Sequence, residues 1–119
     1  MYELVFTDEF KGWLESLTEA EQDDVVASLV VLRQEGHQLG RPHADTVYSK
    51  KMTNLKELRI QHGGKPYRAF FVFDPSRRAI MLCGGDKTGD KRFYKKMIPI
   101  AEKVYKQYLA RKDDKEIKK

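Results

Sequence analysis

Three apolar segments separated by two short turns constrain this chain most. Leu55–Gln61, Pro66–Asp74 and Arg78–Gly84 are dense in aliphatic and aromatic residues. Gly63-Gly64 breaks the first pair and Asp74-Pro75-Ser76 the second. Glycine pairs and Asp-Pro-Ser runs are turn formers, and connections this short join antiparallel neighbours. A three-strand meander is therefore expected at the centre of the fold.

The rest arranges itself around that meander. Tyr2–Phe6 reads as a short opening strand, followed by a helix capped by Thr7 or Asp8, with Phe10, Trp13, Leu14 and Leu17 at helical spacing. Thr18-Glu19-Ala20-Glu21 is a capping box, and Val25, Leu29 and Leu32 form one stripe of a second helix that Gly36 ends. His37 to Ser49 is polar and aperiodic, so it reads as a loop. A last helix starts near Asp90 and carries Phe93, Met97, Val104 and Tyr108, with Pro99 expected to kink or divide it. The order β-α-α-β-β-β-α predicts an α+β fold. It has a small antiparallel-rich sheet, an N-terminal helical hairpin lying on it, and a C-terminal helix. Residues 1–109 are expected to form one domain, and the charged tail 110–119 to fray.

Charge is distributed unevenly. The chain of 119 residues carries a formal +5 and a pI near 9.3, which favours polyanions such as RNA or an acidic protein partner. Yet the first 35 residues hold nine acids against only Lys11 and Arg33, so the basic excess lies beyond Gly36. A basic face set against an acidic helical back is implied. No apolar run reaches membrane-spanning length and no signal layout opens the chain, so no membrane partner is expected. Cys83 is the sole cysteine, and a reducing, cytoplasmic location is the default expectation.

Side-chain alternation singles out a site. Glu57, Arg59 and Gln61 share one face of their strand and Leu58 and Ile60 the other. Arg68 interrupts a strand that is otherwise apolar on both faces. An arginine there needs an anion: either an ion pair with Glu57 or Asp74, or a ligand phosphate. Gly84-Gly85 lets the backbone approach another chain or a ligand, and Lys87 follows on a loop, with Lys91, Arg92 and Tyr94 just beyond. Two arginines, a lysine and a tyrosine at one sheet end suggest a phosphate site. The histidines His37, His43 and His62 have no metal-ligand spacing with Cys83, and there is no phosphate-binding Walker loop and no nucleophile motif. No metal and no cofactor are expected.

These residues give the chain a family likeness. Leu55 to Arg59 (Leu-x-Glu-Leu-Arg), Pro66 to Arg68 (Pro-Tyr-Arg), Phe73 to Pro75, Gly84 to Gly89 (Gly-Gly-Asp-Lys-Thr-Gly) and Arg92 to Ala101 resemble the RelE/ParE superfamily, specifically its phage-derived HigB-like branch. The resemblance implies a toxin of a type II toxin–antitoxin system that cleaves mRNA on the ribosome without a metal. It also implies a cognate antitoxin, commonly a helix-turn-helix protein of the HigA kind. By resemblance Arg68 holds the scissile phosphate, Lys87 is a second cation, Tyr94 is catalytic or stacks on a base, and Arg59 belongs to the branch's own strand motif. Lys91, Arg92, His62 and Lys65 are the accompanying RNA-binding candidates. Glu57 departs from the pattern, standing where RelE-type members carry lysine. Two other expectations stay open: a ParE-like inhibitor of a protein target such as DNA gyrase, and a degenerate member that only binds its antitoxin.

Overall fold

The computed structural model describes residues 1–117, with side chains as far as Arg111. Strand β1 (Glu3–Phe6) leads into helices α1 (Asp8–Ser16) and α2 (Glu19–Glu35). After a 3-10 turn at Gly36–Gln38 come β2 (Ala44–Thr46), β3 (Lys56–His62), β4 (Lys65–Asp74), β5 (Arg78–Asp86) and helix α3 (Phe93–Ile117). The strands form one sheet in the order β1-β5-β4-β3-β2. The meander is antiparallel as expected, and β2 adds to it antiparallel, while β1 pairs parallel to β5 at the opposite edge.

Local chemistry accounts for the element ends. The Thr7 hydroxyl accepts from the Phe10 amide at 3.3 Å and caps α1. At α2 the Thr18 hydroxyl accepts from the Glu21 amide at 3.2 Å, and the Glu21 carboxylate accepts from the Thr18 amide at 2.8 Å. Between β3 and β4 the two loop residues Gly63 and Gly64 both have positive φ, at 53° and 80°, the conformation a twisted two-residue hairpin demands. That turn pairs His62 with Lys65 and sets every later pair, including Arg59 opposite Arg68.

Helices cover both faces. Phe10, Val25, Leu29 and Leu32 from α1 and α2 pack with Leu58, Ile60, Tyr67, Ala69, Phe71, Ala79 and Met81. Phe93, Ala101 and Val104 from α3 pack on the other face with Leu55, Phe70, Val72, Ile80 and Leu82. Strand β4 is thus apolar on both sides because both sides are covered. Gly84 and Gly85 serve this packing. The Trp13 ring of α1 lies against Gly84, and on the opposite face Phe93 of α3 would meet a Cβ at Gly85 at 3.0 Å. The close approach expected of these glycines is made by the protein's own helices.

Two further expectations are corrected. The stretch expected to be a loop contains β2, whose three residues pair with Lys56–Leu58 of β3. So short a strand leaves no periodic trace in sequence. Pro99 does not divide α3, which runs unbroken from Phe93 to Ile117. Pro99 is exposed, and Phe93 and Ala101 anchor the helix to the sheet on either side of it, so the missing amide bond is tolerated. Fraying was expected of residues 110–119, of which 118 and 119 lie outside those described. Among the described residues no helix is long and apolar enough to cross a membrane.

One contact ties α2 to the sheet and carries a pH signature. The enclosed Tyr67 donates its hydroxyl hydrogen to the Glu21 carboxylate. That bond, with those from Thr18, holds Glu21 down at about 2 from an ordinary 4.5. The same bond and burial push Tyr67 up to about 12. A depressed carboxyl contributes stability that is full above its unfolded pKa and is lost as pH falls through the folded one. Stability should therefore drop between about pH 4.5 and pH 2, and Glu21→Gln should flatten that drop in urea unfolding across the same range. Identical acid profiles for the two proteins would contradict the assignment.

Candidate functional site

Register brings the site together. Arg59 of β3 lies directly opposite Arg68 of β4, and Arg68 opposite Gly85 of β5. Two residues along, Glu57 lies between Asp45 of β2 and Phe70 of β4. Directly paired residues share a face, so Asp45, Glu57, Arg59 and Arg68 all lie on the α3 side.

Glu57 is the centre of this group. It is 3% exposed, and Arg68 8%, so two opposite charges are buried side by side. Arg59 Nε donates to Glu57 Oε2 at 3.1 Å, and the Tyr94 hydroxyl donates to Oε1 at 2.7 Å. Arg68 Nε lies 3.6 Å from the same Oε1, an ion-pair distance too long for a hydrogen bond, so this buried donor has no acceptor among the described residues. Arg68 Nη1 donates to the Tyr67 carbonyl at 3.0 Å. Of the two anions open to Arg68 from sequence, Glu57 is the one beside it, while Asp74 binds Arg78 at 2.7 Å.

The first turn of α3 supplies Tyr94 and the β5–α3 loop supplies Lys87. Phe70 and Phe93 meet the Tyr94 ring edge-on, at centroid distances of 6.1 Å and 5.4 Å. The Lys87 ammonium sits 5.3 Å from the Tyr94 ring centroid. Burial, and then the hydrogen bond to Glu57, raise the Tyr94 pKa above the ordinary tyrosine value. Tyr94 is therefore a proton holder and hydrogen-bond donor at neutral pH, and a poor base. Arg59 continues outward, its Nη2 donating to Asp45 Oδ2 at 3.3 Å.

Arg59, Arg68, Lys87 and Tyr94, singled out from sequence, thus meet at one end of one sheet face. The other four candidates do not join them. His62 falls on the opposite face, where its Nδ1 lies 2.6 Å from Asp24 of α2. Lys65, its partner across the hairpin, is exposed at the turn. Lys91 and Arg92 are exposed ahead of α3 and, among the described residues, form no hydrogen bond or ion pair with Glu57, Arg59 or Arg68. Glu57, one of the two anions expected beside Arg68, takes that place, whereas Asp45 was missed because it sits on a strand with no sequence signal. Among the described residues no three His, Cys, Asp or Glu side chains cluster as metal ligands would.

Residues 12–106 match the family described as phage-derived protein Gp49-like. The chain belongs to that family. Two Mycobacterium tuberculosis proteins are similar to this Gp49-like chain over 90% of its length. The one named "Putative toxin HigB3" is 38% identical and is covered over 93% of its own length. The one named "Putative toxin HigB2" is 37% identical and covered over 54%, so the chain spans about half of it. Both names agree with the HigB-like resemblance read from the strand motifs. Among solved structures, the Escherichia coli RelBE toxin–antitoxin complex superposes with TM-score 0.53 at 13% identity, over 71% of this chain and 95% of that one. The RelE–RelB complex of Pyrococcus horikoshii gives 0.52 at 17% identity, over 74% and 97%. At such identities the likeness establishes a RelE-like fold.

The Glu57 cluster has a direct consequence for stability. Removing one partner of a buried ion group leaves the others uncompensated and costs about 3 kcal/mol or more. Glu57→Gln preserves shape but strands Arg68 and Arg59, so it should lower unfolding free energy by about that amount in urea titrations. A change within about 0.5 kcal/mol, the range of ordinary surface substitutions, would show that the carboxylate is not the anchor.

Proposed function

We propose that this Gp49-like chain is the toxin of a type II toxin–antitoxin pair, and that it cleaves mRNA on the ribosome without a metal. One observation carries the reading: Arg59, Arg68, Lys87 and Tyr94 meet at one end of one sheet face, around Glu57. Three cations against two carboxylates, Glu57 and Asp45, leave that end of the face with a positive excess of one charge. The HigB names of the two relatives support the toxin role, and the RelE–RelB complexes with the same fold support an antitoxin as partner. A helix-turn-helix antitoxin, a cytoplasmic setting and an activity carried by residues 1–109 complete the proposal.

In the proposed reaction the ribose 2′-hydroxyl oxygen attacks the adjacent phosphorus in line. The P–O5′ bond breaks, leaving a 2′,3′-cyclic phosphate on one fragment and a 5′-hydroxyl on the other. Negative charge grows on the phosphoryl oxygens, and Arg59, Arg68 and Lys87 stabilise it through contacts that strengthen where water is excluded. Tyr94, kept protonated by burial and by Glu57, donates a hydrogen bond or packs against a base. Glu57 holds Arg59 and Tyr94 in fixed orientation, so little reorganisation is needed when the phosphate arrives. The ribosome contributes alignment of the messenger, worth several kcal/mol in favourable cases. Lys91 and Arg92 are the outer contacts to RNA.

The test is mRNA cleavage in a translating extract containing a chelator. The parent protein should cut, and Arg68→Ala combined with Lys87→Ala should lose about 100-fold or more in rate. Undiminished cleavage by the double variant would remove the site assignment. DNA-damage signalling without cut transcripts, on expression in cells, would favour the gyrase-directed alternative instead.

A further inference from the structure

We propose that Arg41 is a further phosphate contact, coupled to Arg59 through Asp45, and that it extends the site along the RNA backbone toward the β2 edge of the sheet. This inference rests on the RNA-cleaving reading above and adds to it a residue outside the cluster.

Asp45 occupies the edge strand β2 in register with Glu57, which places it on the face of the site. Its Oδ2 accepts from Arg41 Nε at 2.9 Å and from Arg59 Nη2 at 3.3 Å, and Arg41 Nη2 lies 2.9 Å away as an ion pair. Two guanidinium groups therefore converge on one carboxylate oxygen, and one positive charge is left over. The Arg41 side chain is 76% exposed and that of Arg59 32%, so the excess charge faces solvent. The hydrogen bond between them holds the Arg41 pKa above the usual arginine value and that of Asp45 below the usual carboxylate value, so both stay charged.

From the sheet edge inward the charges alternate: Arg41, Asp45, Arg59, Glu57, Arg68. Each carboxylate is shared between two arginines. That arrangement pins each guanidinium by one edge and leaves none of them fully neutralised. Among the described residues Nη1 of Arg41 and Nη1 of Arg59 enter no hydrogen bond, so each arginine keeps donors for a ligand. A single small anion would occupy one such position. A row of oriented cations suits a ligand with repeated negative charge, and a phosphodiester chain is that ligand. The planar fork of arginine matches phosphate geometry, and its prior orientation by Asp45 reduces what is lost on binding. An exposed ion pair such as Arg41–Asp45 adds little to folding stability, so its removal leaves the fold intact for the test.

The probe is a single-stranded 2′-O-methyl RNA, which has the phosphates but no attacking hydroxyl. Its affinity for the purified protein is measured over a range of potassium chloride concentrations. Arg41→Gln should weaken binding about tenfold at low salt and reduce the slope of log K against log salt by about 0.7, one phosphate on a single strand. Arg41→Lys should restore the slope, and Arg33→Gln on α2, on the other side of the sheet, should leave it unchanged. In the cleavage assay Arg41→Gln should raise KM and leave kcat near the parent value. An unchanged slope and affinity in Arg41→Gln, or no binding of the probe by the parent protein, overturns the inference. If Arg68→Ala with Lys87→Ala abolishes cleavage while Arg41→Gln binds normally, only this contact falls. If binding depends on Arg41 but the parent protein cuts no messenger, the contact stands and the nuclease reading falls.

Discussion

A buried carboxylate held by two arginines and a tyrosine organises the functional end of this protein. Glu57 is almost fully enclosed and Arg68 nearly so. Neither charge is tolerable alone in that setting, because desolvation of an ion costs several kcal/mol that only close partners offset. The partners are delivered by strand register. The Gly63-Gly64 turn pairs His62 with Lys65, and from there Arg59 must oppose Arg68. A slip of one residue would turn Arg59 and Glu57 toward Phe10, Leu29 and Leu32, into the apolar layer under α1 and α2. Turn, register and charge pairing therefore require one another.

The hairpin carrying the arginines is held from both sides. On one face α2 reaches it through Glu21 to Tyr67 and Asp24 to His62. On the other face α3 reaches it through Tyr94 to Glu57. Tyr67 links the two, since its hydroxyl meets α2 while its carbonyl accepts from Arg68. Helices α1 and α2 of the acidic first 35 residues thus cover one face of the sheet and α3 the other. This separation keeps Glu21 and Asp24 away from the cationic face while using them to fix the strands beneath it.

Much of this was legible in the sequence, and the omissions have physical causes. The meander, the capping box and the shared face of Glu57 and Arg59 follow from periods and turn residues that act locally. The placing of Arg59 and Arg68 on one hairpin followed from the two-glycine turn, and the structure added their register. Strand β2 left no trace because three residues are too few to show a period, and with it Asp45 and the place of Arg41 were hidden. His62 was expected among the RNA-binding candidates, and its partner Asp24 lies 38 residues earlier in the chain, beyond any local signal. Glu57 stood out as a candidate partner of Arg68 and as a departure from a family pattern. Its role became visible once α3 brought Tyr94 across the sheet, a contact between residues 37 apart that no local rule anticipates.

The site depends on Glu57 holding its side chains as a unit. The most direct measurement is a double-mutant cycle on unfolding free energy with Glu57→Gln, Tyr94→Phe and the pair. A coupling of about 1 kcal/mol or more between the two changes is the result this structure predicts. Additivity within about 0.3 kcal/mol would mean that Tyr94 and Glu57 act independently, and would contradict the account.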